Sequence, residues 1–149
     1  MSTNASQPIA SASQTIQATP VSRSLWQTGL FAALVAVAIN LLLWGLGRGP
    51  LAVSSDFPPL QSAGAAVAAS LVGIFAATLV FALLLRFVPR PVVAFRIIAV
   101  VALVLSLGGP VSTAAEPGAS GTAVAVLAVM HVVTAAVAVS ILPTATRAG

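Results

Sequence analysis

The sequence predicts an all-α fold, an integral membrane four-helix bundle preceded by a disordered N-terminal leader. Three observations carry that prediction. Hydrophobic residues make up 59% of the 149 and charged residues only 5%, with a mean hydropathy of +1.12, whereas a soluble domain is about 25% charged. So few charges cannot cover a surface in water, and lipid must be the solvent for most of the chain. Four apolar segments each run close to the ~20 residues that a ~30 Å hydrocarbon layer requires of a helix. No charge falls in the middle of any of them.

The leader, residues 1–22, is Ser, Thr, Gln, Ala, Asn and Pro with no charge before Arg23. Such a stretch buries too little apolar surface to offset its ordering entropy. It is not a secretory signal, because the first apolar run begins only after Arg23 and is too long for a cleavable core. That run, residues 25–47, is bracketed by Arg23 and Arg48. The second span, 61–85, stops at Arg86. Between them, Asp56-Phe57-Pro58-Pro59-Leu60 carries a proline pair that excludes helix. The expected placement of this link is an interfacial loop on the outer surface, and a dip into the bundle is the alternative.

The third span, 92–109, is expected to end where Gly108-Gly109-Pro110 breaks the helix. Its short connection to the second, Arg86 to Pro91, predicts an antiparallel hairpin. The fourth span, 121–142, stops at Pro143 and leaves a short tail, 144–149. Residues 23–143 thus form one transmembrane domain. A β-barrel would need roughly ten-residue segments of alternating polarity. A run such as Val100-Val101-Ala102-Leu103-Val104-Leu105 does not alternate.

The net charge of +4 comes from six arginines, with no lysine, scattered singly. No basic stripe forms, so nucleic acid is excluded as a partner. The absence of cysteine removes disulfides, thiolate metal sites and cysteine nucleophiles. A cytoplasmic leader puts Arg23, Arg86, Arg90, Arg96 and Arg147 inside and only Arg48 outside, together with Asp56 and Glu116, as the positive-inside rule requires. The expected location is a bacterial inner membrane with both termini cytoplasmic. Arg23, Arg86, Arg90 and Arg96 act as topology anchors, Arg96 by snorkelling. Trp26 and Trp44 fall near the two interfaces, where aromatic belts form.

Within the spans the polar residues are Asn40, Ser70, Thr78, Ser106, His131, Thr134 and Ser140. Asn40, Ser70, Ser106 and His131 lie roughly 6 to 15 Å from the outer ends of their helices at ~1.5 Å per residue, all in the outer half. Helical spacing puts each on a face of small residues: Asn40 with Gly29, Ala33 and Ala36, Ser70 with Ala63, Ala66, Gly73 and Ala77, Ser106 with Ala99 and Ala102, His131 with Ala128, Ala135 and Ala138. Small faces let membrane helices approach closely, and polar groups on them bond across the interface. Interhelical hydrogen bonds are the preferred role for these four. The alternative is a polar pocket open to the outer face, in which His131 titrates or binds a ligand.

No phosphate loop, nucleophile elbow or zinc-binding His-Glu pattern is present, and no carboxylate lies in a span. The chain is therefore expected to be no enzyme, with no cofactor and no metal. Its expected partners are the lipid bilayer and either a second copy or another membrane protein. Two functions are carried forward: a non-catalytic membrane protein acting through helix packing or a partner, and a small transporter or ligand-binding protein using the polar pocket.

Arg23 and Trp26 opening the first span, Asn40 within it, Phe57 and Leu60 in the outer loop, Phe95-Arg96-Ile97 in the third span, Ser106 with Pro110, and Met130-His131 in the fourth form a set. From about Arg23 to Leu142 the chain resembles a family of small bacterial four-span membrane proteins classed as a domain of unknown function. That resemblance implies a bacterial inner-membrane location and four spans, and brings no activity with it.

Overall fold

The computed structural model describes residues 20–146, with side chains from Ser24 onward. Four helices are long and apolar enough to cross a membrane, spanning Ser24–Arg48, Ala63–Phe87, Pro91–Ala115 and Gly121–Thr146. The protein is a multi-pass membrane helix bundle. Helix α1 is Pro20–Arg48, so the leader drawn at 1–22 gives up its last three residues to the helix; residues 1–19 lie outside those described. Helix α2, Ala63–Phe87, starts at an N-cap where the Ser62 hydroxyl accepts from the Ala65 amide, satisfying one of the open N–H groups of the first turn. Pro91 at the first position of α3, Pro91–Ser106, needs no N–H there.

The third span does not stop at Gly108-Gly109-Pro110. Leu107 keeps helical angles, a short helix α4 follows over Gly108–Ser112, and a 3-10 turn, Thr113–Ala115, completes the span. Pro110 is accommodated because it opens a new helical segment, where its missing N–H leaves no bond unmade. The Ser112 and Thr113 hydroxyls then donate to the Gly109 and Pro110 carbonyls. Helix α5, Gly121–Ile141, is capped by Ser120, whose hydroxyl accepts from the Ala123 amide. A 3-10 turn over Leu142–Thr146 follows, and its Leu142, Pro143 and Ala145 are buried. The first residues of the expected tail therefore pack against the bundle; residues 147–149 lie outside the description.

Helix α1 is the axis of the assembly. Its Gly29 lies against Thr78 of α2 and its Asn40 bonds Ser70 of the same helix, so α1 and α2 run antiparallel. Asn40 also bonds Thr134 and Gly47 lies beside Val126, which makes α1 antiparallel to α5. Phe81 of α2 and Phe95 of α3 stack with centroids 4.9 Å apart at 47°, closing the expected hairpin. The bundle is thus up-and-down, and both ends of the described chain emerge at one end of it.

Two cores result. Leu25, Phe81, Phe95, Leu142 and Ala145 fill the end near the described termini, continuous with Ala32, Ala33, Ala36 and Ile74. Val53, Phe57, Leu60, Ala66, Ala123, Val126 and Met130 fill the other. Here the link between the first two helices departs from the interfacial loop expected of it. Pro58–Leu60 forms a 3-10 turn with Pro58 at its first position, and Phe57 and Leu60 are buried in the bundle. The Trp44 indole donates to the Leu60 carbonyl at 3.0 Å and the Arg48 guanidinium to the Val53 carbonyl at 3.2 Å. Gly118, at φ +71°, packs against the backbone of Asp56 and Phe57 so closely that a Cβ would lie 2.9 Å from the Phe57 nitrogen.

Arg86, Arg90 and Arg96 are exposed at the end where the described termini emerge, and Arg48, Asp56 and Glu116 stand at the opposite end. The side chain of Arg23 and all of Arg147 lie outside the described residues. Trp26 is exposed near the first end and Trp44 is half-buried near the second.

Candidate functional site

Asn40, Ser70 and Thr134 meet because three helices bring small faces together. On α1, Ala33 and Ala36 are fully buried and Asn40 is 2% exposed. This narrow face lets α1 approach α2 and α5 at once. The Asn40 Nδ2 donates to the Ser70 hydroxyl at 2.8 Å and to the Thr134 hydroxyl at 2.9 Å. Each hydroxyl gives its own proton to the carbonyl one turn back, Ser70 to Ala66 at 2.7 Å and Thr134 to Met130 at 2.9 Å. With their protons so engaged, both oxygens have only lone pairs to offer. The amide must therefore turn its NH2 toward them, which leaves Oδ1 buried with no partner among the described residues.

Beside this junction lies a cavity of about 430 Å³, walled by α2, α3 and α5 with Asn40 at its back. That volume is within the ~300–1,000 Å³ of small-molecule sites. The cavity forms because α2 and α3 meet at their Phe81–Phe95 hairpin end and the opposing faces beyond it, Ala69 and Gly73 on α2, Ala99 and Ala102 on α3, are too small to fill the space between them. Its exposed wall is Ala65, Ala69 and Val72 on one side and Ala102 and Ser106 on the other. The mouth therefore opens sideways, between α2 and α3, toward lipid. Pro59 borders it at the loop end.

All four residues singled out from the sequence line this one cavity: Asn40, Ser70, Ser106 and His131. They differ in what they do there. Asn40 and Ser70 are bonded to each other across the helix interface, whereas Ser106 is exposed and donates to Leu103 in its own helix. The His131 Nδ1 lies 2.8 Å from the Leu127 carbonyl, so in the neutral ring Nδ1 carries the proton and Nε2 is a bare acceptor. No group of three His, Cys, Asp or Glu gathers among the described residues, and His131 stands alone. Thr134 is a further participant beyond those four. It stands three residues after His131, on the same helical face, and that spacing was the signal available.

No arginine, aspartate or glutamate lines the cavity, and every serine and threonine hydroxyl proton around it is directed to a carbonyl of its own helix. The walls thus offer lone pairs and apolar carbon, without a carboxylate, a guanidinium or a free O–H.

A search of curated proteins and a search of solved structures found no match to the chain. The model of a family of unknown function, DUF6069, matches residues 20–148, which takes in all four spans, the loop insertion and the cavity. The chain belongs to that family.

Proposed function

We propose that this protein is a non-catalytic, multi-pass protein of the bacterial cytoplasmic membrane that takes up a small lipophilic molecule from the bilayer into the cavity between α2, α3 and α5. The observation that carries this reading is the cavity itself. It gathers Asn40, Ser70, Ser106, His131 and Thr134 around a space of about 430 Å³, and its mouth opens sideways between α2 and α3 rather than along the bundle axis. No carboxylate lines it, which favours binding or passage over acid–base chemistry. The arginines at the end where the described termini emerge favour that end as cytoplasmic under the positive-inside rule, and with that orientation the cavity lies toward the outer half of the membrane.

The test is a titration of the protein in phosphatidylcholine nanodiscs with a panel of lipophilic alcohols, ethers and acids, read by native mass spectrometry. Saturable binding that disappears in Ala69→Trp, which fills the mouth from an exposed position, supports the reading. Absence of binding to every probe overturns it. Cytoplasmic reporters fused at either terminus should be active, and an external terminus would reverse the orientation.

One observation favours a second reading, action through packing or a membrane partner such as a second copy. Asn40 ties α1 to both α2 and α5, a use of polar groups that assembly alone accounts for. Under that reading Ala69→Trp leaves every cellular phenotype of the protein unchanged.

A further inference from the structure

Resting on the cavity reading above, we infer that the preferred occupant is a neutral molecule with an apolar body and a hydroxyl head, an alcohol or phenol, held by donation of its O–H to the Nε2 of His131. The inference comes from the sign of the polar groups rather than from their number. Ser70, Ser106 and Thr134 all commit their protons to backbone carbonyls of their own helices, at 2.7, 2.8 and 2.9 Å. Both protons of the Asn40 amide go to Ser70 and Thr134. The Nδ1 of His131 faces the Leu127 carbonyl. What remains around the cavity is a set of acceptors: Nε2 of His131 and the lone pairs of the Ser106 hydroxyl.

A ligand that brings only acceptors, such as a ketone, ether or ester, finds no donor in such a site. Beside a neutral His131 imidazole an anion finds none either, and would lose its hydration without compensation. A ligand that brings one donor fills a need the protein leaves open, because an unpaired polar group in an apolar surround is costly. The remaining wall is alanine, glycine, valine, leucine, methionine and one proline, suited to a hydrocarbon or ring body. The sideways mouth suits a molecule already dissolved in the bilayer, since it can enter without crossing water.

The experiment compares 1-dodecanol with its methyl ether and with dodecanoate, each titrated into the protein in phosphatidylcholine nanodiscs. The alcohol and the ether share the chain and differ in the O–H. The expected result is that dodecanol binds about five- to tenfold more tightly than the ether, the effect of one net hydrogen bond, with dodecanoate weaker than either. In His131→Phe the alcohol should fall to the affinity of the ether while the ether is unchanged. Ala69→Trp, whose substitution leaves both buried cores intact, should abolish both. Equal binding of alcohol and ether overturns the hydroxyl preference and leaves the cavity reading standing. Stronger binding of dodecanoate overturns it in favour of an anion site. No binding of any probe overturns both. A preference for the alcohol that survives His131→Phe in folded protein overturns the assignment to Nε2.

Discussion

The first and third spans have similar hydropathy, 2.2 and 2.4, yet the protein holds them in opposite ways. In an apolar 18-residue stretch of the first span 28% of residues are buried within the protein, and in the third span 6%. Helix α1 carries Gly29, Ala32, Ala33, Ala36 and Asn40 on one narrow face and buries all of it between α2 and α5. Helix α3 buries Phe95 alone and turns Ile97, Val100, Val101, Val104 and Leu105 outward. In lipid, hydrophobicity cannot pull a helix into a bundle, because the tails are as apolar as the side chains. Shape and hydrogen bonding decide, and α1 has both. The comparison teaches that the cavity exists where the weakly held helix begins to leave the strongly held three.

That contrast can be broken by substitution, with unfolding in mixed detergent micelles as the measurement. Phe81→Ala should do most, about 3–5 kcal/mol, because Phe81 is fully buried and stacks on the one side chain that anchors α3. Gly29→Val should cost about 1–3 kcal/mol, since any Cβ there comes within 2.9 Å of both the Thr78 hydroxyl and its methyl. A neutral outcome would mean that α1 and α2 can separate freely.

Thr134→Val should cost more than Asn40→Leu, which runs against intuition. The first leaves an amide proton of Asn40 buried without its acceptor, at about 1–2 kcal/mol. The second removes two bonds of about 0.6 kcal/mol each on average, but removes the unpartnered Oδ1 with them. The reverse ranking would show that Oδ1 has a partner in the membrane. Val104→Ala, on the lipid face of α3, should stay within about 0.5 kcal/mol. A loss comparable to that of Gly29→Val would mean that α3 is covered by another protein surface. The chain has no cysteine, so single cysteines along α3 can report that surface directly.

Much of this architecture is legible in the sequence, because charges are confined to helix ends and glycine or proline marks the connections. The four spans, the hairpin at Arg86–Pro91 and the small faces bearing Asn40, Ser70, Ser106 and His131 all follow from spacing. Three features do not. Phe57 and Leu60 read as an interfacial pair, since an apolar residue in a loop has two apolar destinations, the bilayer surface and the bundle. Pro110 reads as a stop, although the same proline can begin a new helical turn. Thr134 reads as one polar residue among several, because its role depends on which face of α5 meets α1. With alanine so abundant, several faces would pass as small, and in a chain apolar on all sides periodicity cannot separate the face that meets protein from the face that meets lipid.

The burial of Phe57 and Leu60 among Ala123, Val126 and Met130 has a consequence for how the protein is made. These two side chains belong to the connection between the first two helices, yet half of their surroundings comes from the last. During synthesis the connection is made before α5, so its contacts with Ala123, Val126 and Met130 can form only once that helix has been inserted. Gly118, in the segment just before α5, then locks against the Phe57 backbone. Assembly of this small bundle is therefore closed from its C-terminal end, and a chain interrupted after the first hairpin would leave Phe57 and Leu60 without their α5 neighbours.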